Sequence, residues 1–143
     1  MVEAGSILII DDELNLRSSL SHIFQRVGYH VKTAGGAREA IQHIVAQHFD
    51  LIFLDLKMPG IGGIELLAEI RLIDPGVPVI ILTACANLDI ANQTLGKGAS
   101  AYLVKPIDPG LIINRANEII KDNRKNKLRV KTRLLGNPGE LPG

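Results

Sequence analysis

Tryptophan is absent from this sequence, and two tyrosines and three phenylalanines hold the aromatic share to 3%, against 46% hydrophobic residues. Any core must therefore be aliphatic. A single cysteine, Cys85, excludes an internal disulfide and fits a reducing compartment. No apolar run approaches the ~20 residues of a membrane span. Residues 1–6 carry no basic stretch of the kind that opens a secretory leader. These absences point to a cytoplasmic protein with no membrane partner. An excess of charge is missing as well, since 16 Lys/Arg stand against 15 Asp/Glu. That balance hides an asymmetry: residues 1–120 hold 9 basic and 13 acidic side chains, residues 121–143 hold 7 and 2. The chain of 143 residues has room for one domain and a short extension. A domain near this size buries about 68–70% of its unfolded surface and needs no disulfide or metal staple.

The sequence is organised around Leu51-Ile-Phe-Leu-Asp55-Leu-Lys-Met-Pro-Gly60. Four apolar residues form a short buried strand, as in a parallel sheet covered on both faces. The strand stops at the Asp55 carboxylate, and Met58-Pro59-Gly60 turns the chain. Similar runs recur along the sequence. Residues 6–10 make a first strand ending in Asp11-Asp12-Glu13. Apolar positions Leu16, Leu20, Ile23, Phe24 and Val27 mark a helix over about 14–27, closed by Gly28. Residues 30–34 alternate as an edge strand does. A helix over about 37–47 turns Ala40, Ile41, Ile44 and Val45 inward. Ile64, Leu67, Ala68 and Ile70 suggest a third helix to about Ile73, ended by Asp74-Pro75-Gly76. A fourth strand spans 77–82, with Pro78 tolerated at its start, and ends at Thr83. A weaker helix covers about 87–95. A fifth strand over 101–104 ends at Lys105-Pro106, and a last helix over about 109–123 buries Ile112, Ile113, Ala116, Ile119 and Ile120. Five strand–helix units in succession imply a five-stranded parallel sheet with helices on both faces.

In such a sheet every strand end lies on one edge, where ligands bind. Asp11 and Asp12, Asp55, Thr83 and Lys105 would meet there. Carboxylates at ~5 Å and an effective dielectric of ~20 repel by about 3 kcal/mol per pair. Lys105 supplies one compensating charge. A divalent ion is the natural second, and oxygen ligands favour Mg²⁺. A lone strand-end Asp is more often a helix cap or turn residue. Five polar groups stationed at one edge point instead to Asp55 as a nucleophile that accepts a phosphoryl group.

The set Ile-Leu-Ile-Ile-Asp11-Asp12-Glu13, Asp55-Leu-Lys-Met-Pro-Gly, Leu-Thr83-Ala and Tyr102-Leu-Val-Lys105-Pro106 resembles the receiver domain of two-component response regulators, over about residues 6–121. The resemblance implies a flavodoxin-like doubly wound fold, strand order 2-1-3-4-5 with five helices, of the kind seen in chemotaxis regulators. It implies that Asp55 is the phosphoacceptor, that the receiver catalyses its own phosphorylation and dephosphorylation, and that the donor is a phosphohistidine on a sensor histidine kinase or phosphotransfer domain. It implies Mg²⁺, with Mn²⁺ as a substitute, on Asp12, Asp55 and the backbone carbonyl of Lys57, and on Asp11 through water. Lys105 would pair with a phosphoryl oxygen, the Lys105-Pro106 bond would be cis, and Thr83 with Tyr102 would form a switch. That switch would bias the face made by the fourth helix, fifth strand and fifth helix and so control an output domain or partner.

The sequence departs from the family in places. Gly62 stands where many members carry Asp, so Gly60-Ile61-Gly62-Gly63 should be looser. Ser100-Ala101 replaces the acidic pair common in winged-helix transcription-factor receivers, so a homodimer is not expected to use their ion pairs on that face. Pro75-Gly-Val-Pro-Val-Ile-Ile-Leu-Thr83 is similar to receivers attached to AAA+ activators of transcription. Cys85, two residues past Thr83, falls at the pocket entrance. A dehalogenase-type phosphatase would need a second Asp where Lys57 stands, and a dinucleotide-binding domain would need Gly where Glu65 stands. A receiver-fold interaction module that is never phosphorylated is the alternative reading. Residues 1–123 are expected to form the receiver. Residues 124–143 are expected to form a basic helix extension running into a Gly/Pro-containing linker toward an output domain. With neither interleaved aromatics nor a helix-turn-helix pattern, that segment is not expected to bind nucleic acid directly.

Overall fold

The computed structural model describes residues 5–57 and 62–135. Five apolar runs pair into one parallel sheet in the order β2-β1-β3-β4-β5, formed by β1 Ser6–Ile10, β2 His30–Ala34, β3 Leu51–Leu54, β4 Val79–Thr83 and β5 Ala101–Val104. β1 and β3 are buried at nearly every position, as the unbroken Ile/Leu runs require, whereas edge strand β2 alternates exposed and covered residues. Side chains alternate across the sheet and divide the core in two. Leu8, Ile10, Ile52, Leu54, Val79 and Ile81 pack against α2 (Ala37–Ala46) and α3 (Gly63–Ile73). Ile7, Ile9, Leu51, Phe53, Ile80 and Leu82 pack against α1 (Leu14–Arg26) and α5 (Pro109–Leu135). Burying each such side chain contributes about 1.5–3 kcal/mol. Three of the few aromatics gather on this second face, with Phe24 5.3 Å from Phe53 and 5.8 Å from Tyr29 between ring centroids.

The register fixes what stands at the carboxyl edge. Ile10 lies opposite Leu54, so Asp11 and Asp55 leave the sheet side by side. Thr83 lies opposite Val104, so Lys105 follows immediately beyond it. Helix α4 (Leu88–Gly96) is the least anchored element: Asn87 caps it by accepting from the Ile90 amide, and Thr94 is its one buried residue. Its exit turn at Gly98 adopts φ +99°, which favours glycine. There the Arg71 guanidinium donates to the Gly98 carbonyl at 2.6 Å, tying the turn to α3.

Several sequence expectations are corrected. Val45 was expected inward but is 70% exposed, because Ala40 and Ile44 already fill the space under α2 and Val45 falls past the edge of that face. β4 begins at Val79, since Pro78 has no amide to give a ladder. The helix extension expected past 123 runs on from α5 as far as Leu135, for neither Gly nor Pro interrupts the chain from 111 to 135. The Met58-Pro59-Gly60 turn, Ile61 and residues 136–143 lie outside the described residues. Gly63 is the reverse of loose: a Cβ there would stand 2.4 Å from the Leu56 backbone and 3.0 Å from the Asp55 carbonyl. The start of α3 rests directly on the segment that carries Asp55. We expect Gly63→Ala to lower the unfolding free energy by about 1–3 kcal/mol, the cost of overpacking, read as a reduced urea midpoint with unchanged slope.

Candidate functional site

Asp11 and Asp55 are 2% and 6% exposed, an unusual state for carboxylates. Each is held by backbone and by one shared cation. The Asp55 amide donates to the Ile10 carbonyl and the Asp11 amide to the Ala34 carbonyl, which extends the ladder one residue past the strands. Asp11 Oδ1 accepts from the Glu13 amide at 2.9 Å, and Asp55 Oδ1 accepts from the Lys57 amide at 3.1 Å. These two-residue loops are what Asp favours at a turn. Lys105 Nζ bridges the remaining oxygens, 2.7 Å from Asp11 Oδ2 and 3.1 Å from Asp55 Oδ2. Asp12 is exposed, and a carboxylate oxygen from each of Asp11, Asp12 and Asp55 lies within 4.8 Å of the others.

Burial pushes the Asp11 carboxyl above its ordinary value, and the Lys105 and Glu13 hydrogen bonds only partly offset it. Burial alone would lower Lys105, but its hydrogen bonds to Asp11 and Asp55 prevail, and the ammonium is held above its usual range. Three carboxylates thus share one nearby ammonium. An all-oxygen set with unbalanced negative charge and an open side at Asp12 fits a hard divalent cation, which Asp11, Asp12 and Asp55 could hold.

Thr83 is fully buried, and its Oγ1 accepts from the Cys85 amide at 3.4 Å. The Tyr102 hydroxyl donates to the Cys85 carbonyl. Burial, with the Cys85 thiol beside it, raises the Tyr102 phenol, so it remains a donor at neutral pH. The Lys105-Pro106 peptide bond is cis. Cys85 also lines a cavity of about 410 Å³ between α3 and α4, with Leu56, Lys57, Ile90 and Lys97.

The sequence reading missed two participants. The Cys85 backbone joins Thr83 to Tyr102, and a backbone role leaves no trace in residue type. Arg17 Nη1 donates to the Asp11 carbonyl at 2.6 Å and so braces the loop after β1. Its position on the first turn of α1, six residues past Asp11, was the available signal.

Residues 7–117 match the family model of the response regulator receiver domain. The chain belongs to that family and is a receiver domain of two-component signalling. Sporulation initiation phosphotransferase F of Bacillus subtilis (strain 168) is 36% identical over 102 residues, covering 71% of this chain and 82% of that protein. Transcriptional regulatory protein ZraR of Escherichia coli (strain K12) is also 36% identical over 102 residues, but the match covers only 23% of its length. The chain therefore spans about a quarter of several curated relatives. Among solved structures, a CheY-like response regulator receiver domain protein from Methanospirillum hungatei JF-1 superposes with a TM-score of 0.83 at 31% identity, over 87% of this chain and 99% of its own.

The raised Asp11 pKa gives a signed prediction. A carboxyl raised on folding stabilises the fold while protonated, below its unfolded value of 3.8, and that contribution is lost as pH rises through the folded pKa. Asp11→Asn removes the ionisation. Without divalent ions, the variant should melt above wild type at pH 7, and the difference should shrink as pH falls toward 3.8. Thermal melts across that range in EDTA test this; a variant less stable than wild type at pH 7 would refute it.

Proposed function

We propose that Asp55 accepts a phosphoryl group from a phosphohistidine on a sensor histidine kinase or phosphotransfer domain. The observation that supports this most directly is the buried Asp55 carboxylate, flanked by Asp11, Asp12 and a shared Lys105 at the end of β3. An Asp55 oxygen attacks phosphorus, the bond from phosphorus to the histidine nitrogen breaks, and the imidazole leaves with the electron pair. Such a transfer needs positioning and charge stabilisation more than covalent help from other residues. Mg²⁺ held by Asp12, Asp55 and the Lys57 carbonyl, with Asp11 acting through water, would supply neutralisation of the phosphoryl charge. Lys105 already touches Asp55 and needs only to exchange a carboxylate for a phosphoryl oxygen.

The Thr83 hydroxyl then donates to a phosphoryl oxygen, and Tyr102 follows it through the Cys85 backbone. The element set in motion is the face of α4, β5 and α5, where α4 is weakly anchored. In this reading the domain works in the cytoplasm and directs an output domain beyond α5. Its relatives named as transcriptional regulators support transcription as the regulated process.

Incubation with acetyl phosphate, followed by intact mass measurement, tests the reading. Wild type with Mg²⁺ should gain one phosphoryl mass, while Asp55→Asn and wild type in EDTA should gain none. If wild type gains none and also fails to bind beryllofluoride with Mg²⁺, the fold serves as an interaction module and the phosphoryl reading is wrong. Thr83→Ala should still reach full labelling, but lose the phosphoryl-dependent change in amide exchange across 88–104. An unchanged exchange response in that variant would remove Thr83 from the switch.

A further inference from the structure

Helix α5 runs well past the body of the domain. Every residue from 125 to 134 is exposed, and a helix solvated all round is marginal on its own. One of its faces is nonetheless shaped. Asn123, Lys127, Val130 and Leu134 recur at steps of three and four and, with Lys131 and Gly76, line a groove of about 490 Å³. Val130 and Leu134, 55% and 79% exposed, supply its apolar lining, extended by the lysine stems.

The charge around this groove selects the occupant. Residues 121–135 carry seven Lys/Arg against one acid, Asp122. Neither Lys127 nor Lys131 has a salt bridge among the described residues. Asp74, on the turn that carries Gly76, does not line the groove. Its Oδ1 accepts from the Gly76 and Val77 amides, and its Oδ2 faces His48 Nδ1 at 3.8 Å. Laid along this face in parallel register, a second copy would set Lys127 against Lys127, and the groove lining offers no acid to pair with either.

We propose that the groove docks an acidic amphipathic helix of a partner protein. Its apolar residues, spaced i, i+3, i+4 and i+7, would cover Val130 and Leu134, while its flanking carboxylates would meet Lys127 and Lys131. The groove opens beside Gly76, at the end of the sheet away from Asp55. Docking there is independent of whether Asp55 takes a phosphoryl group.

Two fluorescent helical peptides of about 18 residues, roughly five turns, test this. They share one leucine pattern and differ in carrying Glu or Lys at the flanking positions. Fluorescence anisotropy with the full chain should show binding of the Glu peptide and none of the Lys peptide. Val130→Asp and Leu134→Asp should each weaken it about tenfold or more, with urea midpoints equal to wild type. The double change Lys127→Glu with Lys131→Glu should reverse the preference. Equal binding of both peptides, no binding, or binding untouched by these substitutions would overturn the proposal. So would competition by random duplex DNA, or a dimer in sedimentation equilibrium that Val130→Asp dissolves.

Discussion

Crowding of like charge at one edge of the sheet is the constraint on which the rest of this structure depends. Asp11 and Asp55 are almost wholly out of water, and one ammonium, from Lys105, lies within hydrogen-bond distance of both. The burial that raises the Asp11 pKa also works against the fold at neutral pH. Such an arrangement persists only where surrounding structure over-determines it. Two continuous aliphatic layers, one on each side of the sheet, supply that support. The site is a local cost carried by a global surplus.

Register turns this constraint into geometry. The pairing of Ile10 with Leu54 and of Thr83 with Val104 means that four separate strands deliver their polar groups to one place. A slip of one residue in β3 would send Leu54 to the opposite face and carry Asp55 away from Lys105. The same pairings that build the core also align the carboxylates, so neither can be altered without the other. Gly63 adds a steric lock, because only a residue without Cβ lets α3 close over the backbone at Asp55 and Leu56.

Much of this was legible in the sequence, for a physical reason. Buried parallel strands are nearly uniform apolar runs, so each polar residue that ends one stands out, and five strand–helix units leave few topologies open. The strand order itself came from family resemblance and not from periodicity. The errors have causes as definite as the successes. Val45 satisfies a helical apolar pattern, but a pattern cannot say how wide a face the sheet will cover. Gly62-Gly63 looked like slack because composition does not reveal whether a glycine sits in open space or against a neighbouring backbone. Contacts made by backbone atoms, such as the Cys85 carbonyl with Tyr102, are invisible to residue type. Arg17 lay in plain view but resembled a solvated helix position.

One feature of α5 has a mechanical meaning. The helix starts beside the cis Lys105-Pro106 bond, and partway along it Arg124 Nη2 meets Asp50 Oδ1 at 3.5 Å, at the far end of the sheet. At 1.5 Å per residue, about 22 Å separates Pro109 from Arg124, and about 17 Å more reaches Leu135. The first part of the helix is packed into the core through Ile112, Ala116 and Ile120, so a rigid-body tilt of that part carries the projecting end with it. Each degree of tilt about Ile120 would swing Leu135, about 22 Å further along the helix, by about 0.4 Å.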